Sequence, residues 1–154
     1  MVKWKVFVPT MEKLEELARV MLEGREHFSD NSRTPEVVWG HIHHWFGGQS
    51  KTVAFECDGG VMIIRDIVPG FKANVFLIIT DTSKWGKSVW REGVDVLRRV
   101  MSDLRLAKVE IETANDRWAG FLESSGFEME GKREKSFMVD GEMKPFYLLS
   151  LYGR

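Results

Sequence analysis

The residues best suited to chemistry lie in a loop near the middle of the chain. Trp85, Gly86 and Lys87 follow an apolar run and lead directly into a helical pattern. The first N–H groups of a helix lack partners within the helix, and the helix dipole is positive at that end, so such a junction attracts a phosphate. Lys84 and Lys87 add positive charge. The segment is neither a dinucleotide fingerprint nor a Walker motif, so it fits a phosphate site and an ordinary strand-to-helix turn about equally well.

Two carboxylates are candidates for a catalytic general base. Asp81 ends the apolar run before the loop, where it could take a proton from an amine directly or through water, or could instead cap the loop. Glu112 shares one face of a short predicted strand with Glu110, because side chains alternate along a strand. Glu112 lies toward the end of that strand where a cleft should open. A solvated edge carboxylate is the commoner role for such a residue.

Histidine and cysteine offer weaker chemistry. His41 and His44 are three residues apart on a predicted helix and can face the same way, but no third ligand accompanies them, so we expect no metal. A histidine on this helix could instead act as a base beside an acceptor, because it titrates near neutral pH. Cys57 lies in an apolar strand without an adjacent base, which favours a small buried side chain over a nucleophile.

The composition bounds the kind of protein that carries these residues. The 154 residues match one domain, and 44% of them are hydrophobic, which excludes a disordered chain. A net charge of −1 disfavours nucleic acid as a partner. Cys57 has no second cysteine to pair with, which fits a reducing cytoplasm. The longest apolar run, residues 75–79, is far shorter than the roughly 20 residues that span a bilayer, and no signal-peptide pattern is present. We therefore expect a soluble cytoplasmic protein that engages no membrane.

The first half of the chain predicts two helices among short strands. Residues 4–8 read as a strand, after which Thr10 caps a helix that ends at Gly24. Thr34 and the following Pro35 open a second helix, which Gly47 stops. Residues 51–57 and 61–68 flank Asp-Gly-Gly, the signal of a tight hairpin.

The second half predicts a sheet that is covered on both faces. Residues 73–80 are apolar at both alternating sets of positions, which indicates the central strand. A helix over about residues 88–104, a strand at 108–113 and a helix at about 116–125 follow, and strands at 127–130 and 137–151 with a turn at 140–141 finish the chain. The order β-α-α-β-β-β-α-β-α-β-β describes a mixed α/β sandwich with helices on both faces of one sheet.

Short motifs recur in this second half in a specific order. They are Trp85-Gly86-Lys87-Ser88, then Asn115 with Gly126-Phe127 eleven residues later, then Glu130-Gly131 and Asp140-Gly141. In this order and spacing they resemble the GNAT superfamily of N-acetyltransferases, and most of all the branch that includes ribosomal-protein alanine acetyltransferases. The resemblance covers about half the chain, residues 76–151. The first half agrees with the family only in the order of its elements.

The resemblance implies a single domain with the GNAT acyl-CoA N-acyltransferase fold over residues 1–154. Its mostly antiparallel sheet would join an acceptor-facing half, about residues 1–70, to a half that binds acetyl-CoA, about residues 73–151. The pyrophosphate would rest on the backbone of Trp85, Gly86, Lys87, Ser88, Val89 and Trp90. The strand ending at Ile78 and Ile79 would splay from its neighbour and hold the pantetheine arm and thioester carbonyl through its backbone. Asn115 and Trp118 would lie beside the CoA arm.

The chain also departs from the family pattern. Ser88 stands where the branch usually has a second glycine, and Trp118 replaces a small residue. Leu122 occupies the position of the tyrosine that protonates the leaving thiolate in many members, and residues 73–80 contain no glutamate, where a general base is common. The resemblance implies acetyl transfer to a protein N-terminus, a lysine or a small amine in a ternary complex. It leaves open a weak or inactive protein that binds acyl-CoA or a partner.

Two further expectations concern the outer parts of the molecule. The strand at residues 137–151 offers an edge that could pair with a second copy in a homodimer. The six tryptophans divide into two groups. Trp85, Trp90 and Trp118 fall beside the expected CoA segments, whereas the elements that carry Trp4, Trp39 and Trp45 should face the acceptor or the core.

Overall fold

A computed structural model describes residues 3–24 and 29–153, in which seven strands form one sheet flanked by four α-helices. The strands are β1 (Lys5–Val6), β2 (Val53–Cys57), β3 (Gly60–Val68), β4 (Lys72–Ile79), β5 (Lys108–Thr113), β6 (Glu128–Val139) and β7 (Glu142–Tyr152). The helices are α1 (Met11–Glu23), α2 (Pro35–Phe46), α3 (Lys87–Asp103) and α4 (Asp116–Ser124). This arrangement confirms the predicted mixed α/β fold.

The sheet order is β1-β2-β3-β4-β5-β7-β6, so β4 is the middle strand, as its apolar sequence predicts. Every strand pair is antiparallel except β4 with β5, which run parallel and are joined by α3. Two parallel strands must be joined by a long crossover connection. Here that connection contains α3, whose first turn faces the cleft described below.

Two hydrophobic cores lie on opposite faces of this sheet. Because side chains alternate along a strand, Val75 and Leu77 of β4 face α3 and α4, whereas Phe76 and Ile78 face α1 and α2. The indole of Trp90 and the side chain of Met21 are fully buried in these two cores, respectively. Burial on both faces explains why β4 reads as a continuous apolar run.

Local sequence signals define the first two helices as predicted. The hydroxyl of Thr10 accepts a hydrogen bond from the backbone N–H of Lys13 at the start of α1, and Thr34 accepts one from Val37 at the start of α2. Pro35 occupies the first turn of α2, where its missing N–H costs nothing. None of the helices in the described part of the chain has the length and apolar character that a bilayer crossing requires.

The end of the chain differs from the prediction. β6 extends over Glu128–Val139, through the charged stretch at 131–136 that was expected to separate two strands, although its register with β7 shifts between Met129 and Gly131 and between Arg133 and Phe137. This stretch can remain a strand because β6 is the outermost strand and its charged side chains reach solvent. Of the segment 137–151 that was expected to offer a dimer edge, residues 137–139 belong to β6, the outermost strand, whereas residues 147–150 of β7 pair with β5 on one side and β6 on the other.

Candidate active site

A cleft opens where the parallel strands β4 and β5 separate. They pair only as far as Val75 and Ile111, although β4 continues to Ile79 and β5 to Thr113. Beyond that point lies a cavity of about 420 Å³, walled by the two strands, the loop before α3 and the first turns of α3 and α4. Its lining is Val75, Phe76, Leu77, Ile79, Trp85, Gly86, Lys87, Ile111, Glu112, Thr113, Asn115, Arg117, Trp118 and Phe121.

The backbone of β4 presents polar groups to this cleft. The N–H of Thr80 donates to the carbonyl of Gly59 on the β2–β3 turn, 3.0 Å away. Backbone direction alternates along a strand, so the N–H and C=O groups of Leu77 and Ile79 point the other way, toward the space that β5 has left. The cleft therefore has an apolar lining with polar backbone groups along one edge.

The first turn of α3 faces the same cavity and is arranged differently from the other helix starts. In the described chain, α1, α2 and α4 each begin with a side-chain cap and an acidic residue in the first turn, whereas α3 has neither. Its N-cap is Gly86, and Lys87 follows. The first N–H with a helical acceptor is that of Trp90, which donates to the carbonyl of Gly86. The N–H groups at 87–89 and the adjacent cation are thus suited to an anion.

The loop before α3 is fixed against the β2–β3 turn by two glycines. An added Cβ at Gly59 would lie 3.1 Å from the carbonyl carbon of Lys84, and one at Gly60 would lie 3.0 Å from Cζ3 of Trp85. Both distances are tighter than most Cβ contacts in proteins, so a larger residue at either position would push the loop away by a few tenths of an ångström. The indole of Trp85 therefore lies directly against the turn, with one part lining the cavity.

Asn115 joins β5 to α4 at the rim of the cavity. Its side-chain oxygen accepts the backbone N–H of Trp118 at 2.9 Å, which caps α4, and its own N–H donates to the hydroxyl of Thr113 at 3.1 Å. The helix cap is therefore an established role of Asn115. Its position in the cavity wall is the observation relevant to a ligand.

The predicted cofactor residues divide into three sets. Those that line the cavity are Ile79, Trp85, Gly86, Lys87, Asn115 and Trp118. Ser88 is exposed in the first turn of α3, where its backbone N–H is one of the unpaired donors. The side chains of the third set are buried and do not line the cavity: Val89 on α3, Trp90 in the α3–α4 core, and Ile78 against α1 and α2.

The two predicted bases lie in different places. Glu112 lines the cavity and is exposed, whereas its neighbours Ile111 and Thr113 line the cavity but are buried. Asp81 instead caps a short 3-10 turn, Thr82–Lys84, by accepting hydrogen bonds from the hydroxyl and the N–H of Ser83 at 2.6 and 3.0 Å. These bonds lower the pKa of the Asp81 carboxyl. A carboxylate stabilised in this way is a weaker base.

A second cavity of about 340 Å³ lies beyond Asp81, between α1 and the β2–β3 turn. Cys57 lines it, and burial raises the pKa of the Cys57 thiol, which opposes a nucleophilic role. Lys13 and Glu56 form an ion pair in the same wall, 2.6 Å apart.

Two histidines of α2, His41 and His44, make separate contacts, and neither is in the lining of the main cavity. The imidazole of His44 lies 3.2 Å from Asp66, which also accepts a hydrogen bond from Ser50. His41 stacks on Trp45, and burial lowers the pKa of its imidazole, with Arg65 contributing. Within residues 3–24 and 29–153, no group of three or more His, Cys, Asp or Glu side chains is placed to hold a metal ion.

Several cavity residues are not among those proposed from the sequence. The most informative are Phe121 and Arg117 on α4 and Phe76 on β4. Phe121 stacks on Trp118, with ring centroids 5.3 Å apart and planes at 20°. The three-residue spacing of these two aromatics after Asn115 is the sequence signal that places them on one helix face. Phe76 has no such signal, because a splayed strand and a paired strand have the same sequence pattern.

Comparison with solved structures connects this geometry to known proteins. The spermidine N-acetyltransferase of Vibrio cholerae, crystallised with CoA and spermine, is 14% identical over 97% of this chain and 95% of its own, with a TM-score of 0.77. A protein assigned as a phosphinothricin N-acetyltransferase is 15% identical over 97% and 98% of the two chains, with a TM-score of 0.74. The chain therefore has the GNAT N-acetyltransferase fold, as its sequence predicts.

The other comparisons add no finer assignment. No protein-family model matches the chain, and no curated protein matches it significantly in sequence. The solved structures do not confirm the ribosomal-protein alanine acetyltransferase branch that the motifs resemble.

Proposed function

We propose that this protein is an N-acetyltransferase that moves the acetyl group of acetyl-CoA to an amine. The observation that carries the proposal is the uncapped first turn of α3, with Gly86 and Lys87, at the mouth of the cleft between β4 and β5. An extended ligand with an anionic group at one end and an amide-containing arm matches both parts of this cleft. Acetyl-CoA has that form.

In this proposal each part of the cleft has one task. The pyrophosphate lies on the N–H groups of residues 87–89, beside the Lys87 ammonium. The pantetheine arm runs along β4 and bonds to the backbone groups of Leu77 and Ile79. Trp85, Trp118 and Phe121 pack against its apolar surface and exclude water, which strengthens the electrostatic interactions within the cleft.

The reaction is direct attack on the bound thioester. A neutral amine forms a bond to the carbonyl carbon, the carbon–sulfur bond breaks, and the CoA thiolate leaves and takes a proton from solvent, which balances the proton that the amine gives to the base. The developing oxyanion is stabilised by a β4 N–H that is already in place. Glu112 is our candidate for the base that takes the amine proton, directly or through water, because it stands in the cavity wall. Asp81 is the less suited candidate because Ser83 already occupies its carboxylate.

The acceptor class follows from the fold only in outline. One neighbour was crystallised with spermine, which makes a small polyamine one candidate, while the motifs' likeness to the ribosomal-protein branch keeps a protein N-terminus as another. We assign acetyl-CoA binding mainly to residues 73–151 and acceptor binding mainly to residues 1–70. We also place the protein in the cytoplasm, where acetyl-CoA and an unpaired Cys57 are both expected.

The test combines calorimetry with a thiol-release assay. The wild type should bind CoA, and it should release CoA from acetyl-CoA in the presence of at least one amine from a panel of polyamines, lysine peptides and peptides with free N-termini. Gly86→Glu should abolish CoA binding, because the new carboxylate projects toward the pyrophosphate site. An added Cβ at Gly86 meets no protein atom within 4 Å, so the fold should tolerate this change. Gly40→Glu is the matched control, since Gly40 is exposed on α2 and equally unobstructed.

Each outcome bears on a different part of the proposal. If the wild type fails to bind CoA, the assignment of the cleft is wrong. If CoA binds with equal affinity to the wild type and to Gly86→Glu, the phosphate site lies elsewhere. Binding without thiol release for any amine in the panel would contradict the enzymatic proposal and favour an acyl-CoA-binding protein, consistent with the buried Leu122 at the position of the usual acid.

A further inference from the structure

We propose that Trp4, at the N-terminal end of the sheet, is a positioning residue for the phosphate-binding turn of α3. This inference rests on the function proposed above. Trp4 is 81 residues before the loop in sequence, and its element was expected to face the acceptor or the core. The structure places its indole on the α3–α4 core, at the junction between the loop and α3.

The first contact is a hydrogen bond to the helix itself. The indole Nε1–H of Trp4 donates to the backbone carbonyl of Val89 at 3.0 Å. Val89 lies in the first turn of α3, and its own N–H is one of the three donors that face the proposed pyrophosphate. A bond to the carbonyl of that turn fixes the orientation of its peptide groups.

The second set of contacts is made by the ring. The centroids of Trp4 and Trp85 are 6.0 Å apart in an edge-to-face arrangement at 88°. An added Cβ at Gly93, one turn further along α3, would lie 3.1 Å from Cζ2 of Trp4. The indole of Trp4 therefore packs on the helix backbone at Gly93 and on the side chain of Trp85 in the loop.

Together these contacts bridge Gly86 from both sides. Trp85 precedes Gly86 and Val89 follows it, and Gly86 itself has no side chain with which to hold the turn. The indole N–H of Trp85 is buried without a hydrogen-bond partner among the described residues, so packing alone holds that ring. Trp4 therefore supplies the side-chain hydrogen bond that ties the junction to the sheet, through β1 and its pairing with β2. A preorganised turn binds phosphate without first losing conformational freedom.

The test measures affinity for ligands with and without the pyrophosphate. Trp4→Phe keeps an aromatic ring but removes the N–H. It should raise the dissociation constants of CoA and 3′-dephospho-CoA by the same factor, about three- to tenfold, which corresponds to one ordinary hydrogen bond. Acetyl-pantetheine, which lacks the pyrophosphate, should bind with unchanged affinity. In the acetyl-transfer assay KM for acetyl-CoA should rise by the same factor while kcat stays the same.

A second variant reaches the same contact from the helix. Gly93→Ala should displace the Trp4 indole through its new Cβ and lower CoA affinity to a similar extent. Alanine is the better helix former, so this loss would not come from a weaker helix. Because both changes break one contact, their effects on CoA affinity should not add in the double variant. Trp39→Phe is the control, since Trp39 packs on the opposite face of the sheet and should leave CoA affinity unchanged.

Equal loss of affinity for acetyl-pantetheine and CoA would overturn the inference, because a general structural defect weakens both. Additive effects of Trp4→Phe and Gly93→Ala would overturn it as well, as would wild-type CoA affinity in both single variants. These results differ from a failure of the proposed function, in which the wild type itself does not bind CoA.

Discussion

Asn115 shows how one residue can serve the fold and a ligand at the same site. Its side-chain oxygen caps α4, and its position in the cavity wall allows the rest of the side chain to meet the pantetheine arm that we propose. Helix caps are worth about 1 kcal/mol to stability, which is separate from any contribution to affinity. The two roles can therefore be separated by choosing substitutions that keep or remove the cap.

Replacing Asn115 by alanine should raise the CoA dissociation constant about tenfold, the value of one good hydrogen bond to a ligand, and should also lower the melting temperature because the cap is lost. Replacing it by serine keeps a good N-cap but shortens the side chain. Asn115→Ser should therefore melt close to the wild type, yet bind CoA about as weakly as Asn115→Ala does. Calorimetry and thermal unfolding measure the two effects. Wild-type CoA affinity in both variants would mean that Asn115 only caps its helix.

Asp81 illustrates the opposite outcome at the same scale. The sequence allows either a base or a loop cap, because a carboxylate at the end of a strand suits both roles. The structure shows the cap, with both Ser83 donors bonded to it and the pKa lowered. Composition and spacing could not separate the two roles, since the choice depends on the local turn of the backbone.

At the scale of elements, the sequence predicts most where burial and caps act locally. The central position of β4 follows from its two apolar faces, and the starts of α1 and α2 follow from Thr10 and Thr34. The hairpin at Gly59 and Gly60 is likewise predicted, although its close contact with the loop before α3 is not. Each of these signals lies within a few residues of the feature that it specifies.

Long-range pairing is what the sequence alone leaves undetermined. Nothing in the pattern of β4 indicates that its last four residues, 76–79, separate from β5, because the apolar alternation continues unchanged. The family resemblance, not the periodicity, implied that separation. The length of β6 is similarly hidden, because its middle is charged and only its place at the sheet edge makes that acceptable.

The carboxylate of Asp30, which precedes α2, binds the turn of the β6–β7 hairpin. Asp30 accepts the backbone N–H groups of Asp140 and Gly141 at 2.8 and 2.9 Å, and Arg33 bonds to Asp30 at 2.7 Å. The N–H groups of Gly141 and Asp140, followed by Arg33, lower the pKa of the Asp30 carboxyl. Ionised Asp30 therefore links two elements more than a hundred residues apart in the chain.

This link should give stability a specific dependence on acid. Because the folded pKa of Asp30 is lowered, its contribution is present above the usual carboxyl value of 3.8 and is lost as the pH falls through the lower folded value. Asp30→Asn should melt below the wild type near neutral pH, and this difference in melting temperature should shrink as the pH falls below 3.8. Thermal unfolding between about pH 6 and pH 3 measures this.

The control is Asp95→Asn, which removes an exposed carboxylate from α3. The melting temperature of Asp95→Asn should differ from that of the wild type by about the same amount at every pH in this range. A constant difference between Asp30→Asn and the wild type down to the lowest pH would contradict the role of the charge.

At the scale of the whole molecule, the sheet separates two groups of tryptophans. Trp85 and Trp118 line the cleft and pack with Trp90 of the α3 core at centroid distances of 5.6 to 6.2 Å, and Trp4 joins them through Trp85. Trp39 and Trp45 lie on the other face, in the core with α1 and α2. Of the three tryptophans that were expected to face the acceptor or the core, Trp4 therefore packs on the core of the cofactor side.

This separation predicts which tryptophans report each ligand. Binding of acetyl-CoA should change the fluorescence of the group at the cleft, and the change should be lost or strongly reduced in Trp118→Phe, because Trp118 is a lining residue in contact with two other indoles of that group. The same titration of Trp39→Phe should give the full wild-type change, since that ring is on the opposite face. Calorimetry on each variant establishes that CoA is bound, so a lost signal is not mistaken for lost binding. A full signal in Trp118→Phe together with a diminished one in Trp39→Phe would place the cofactor on the α1–α2 face, which would contradict the proposed orientation of the whole site.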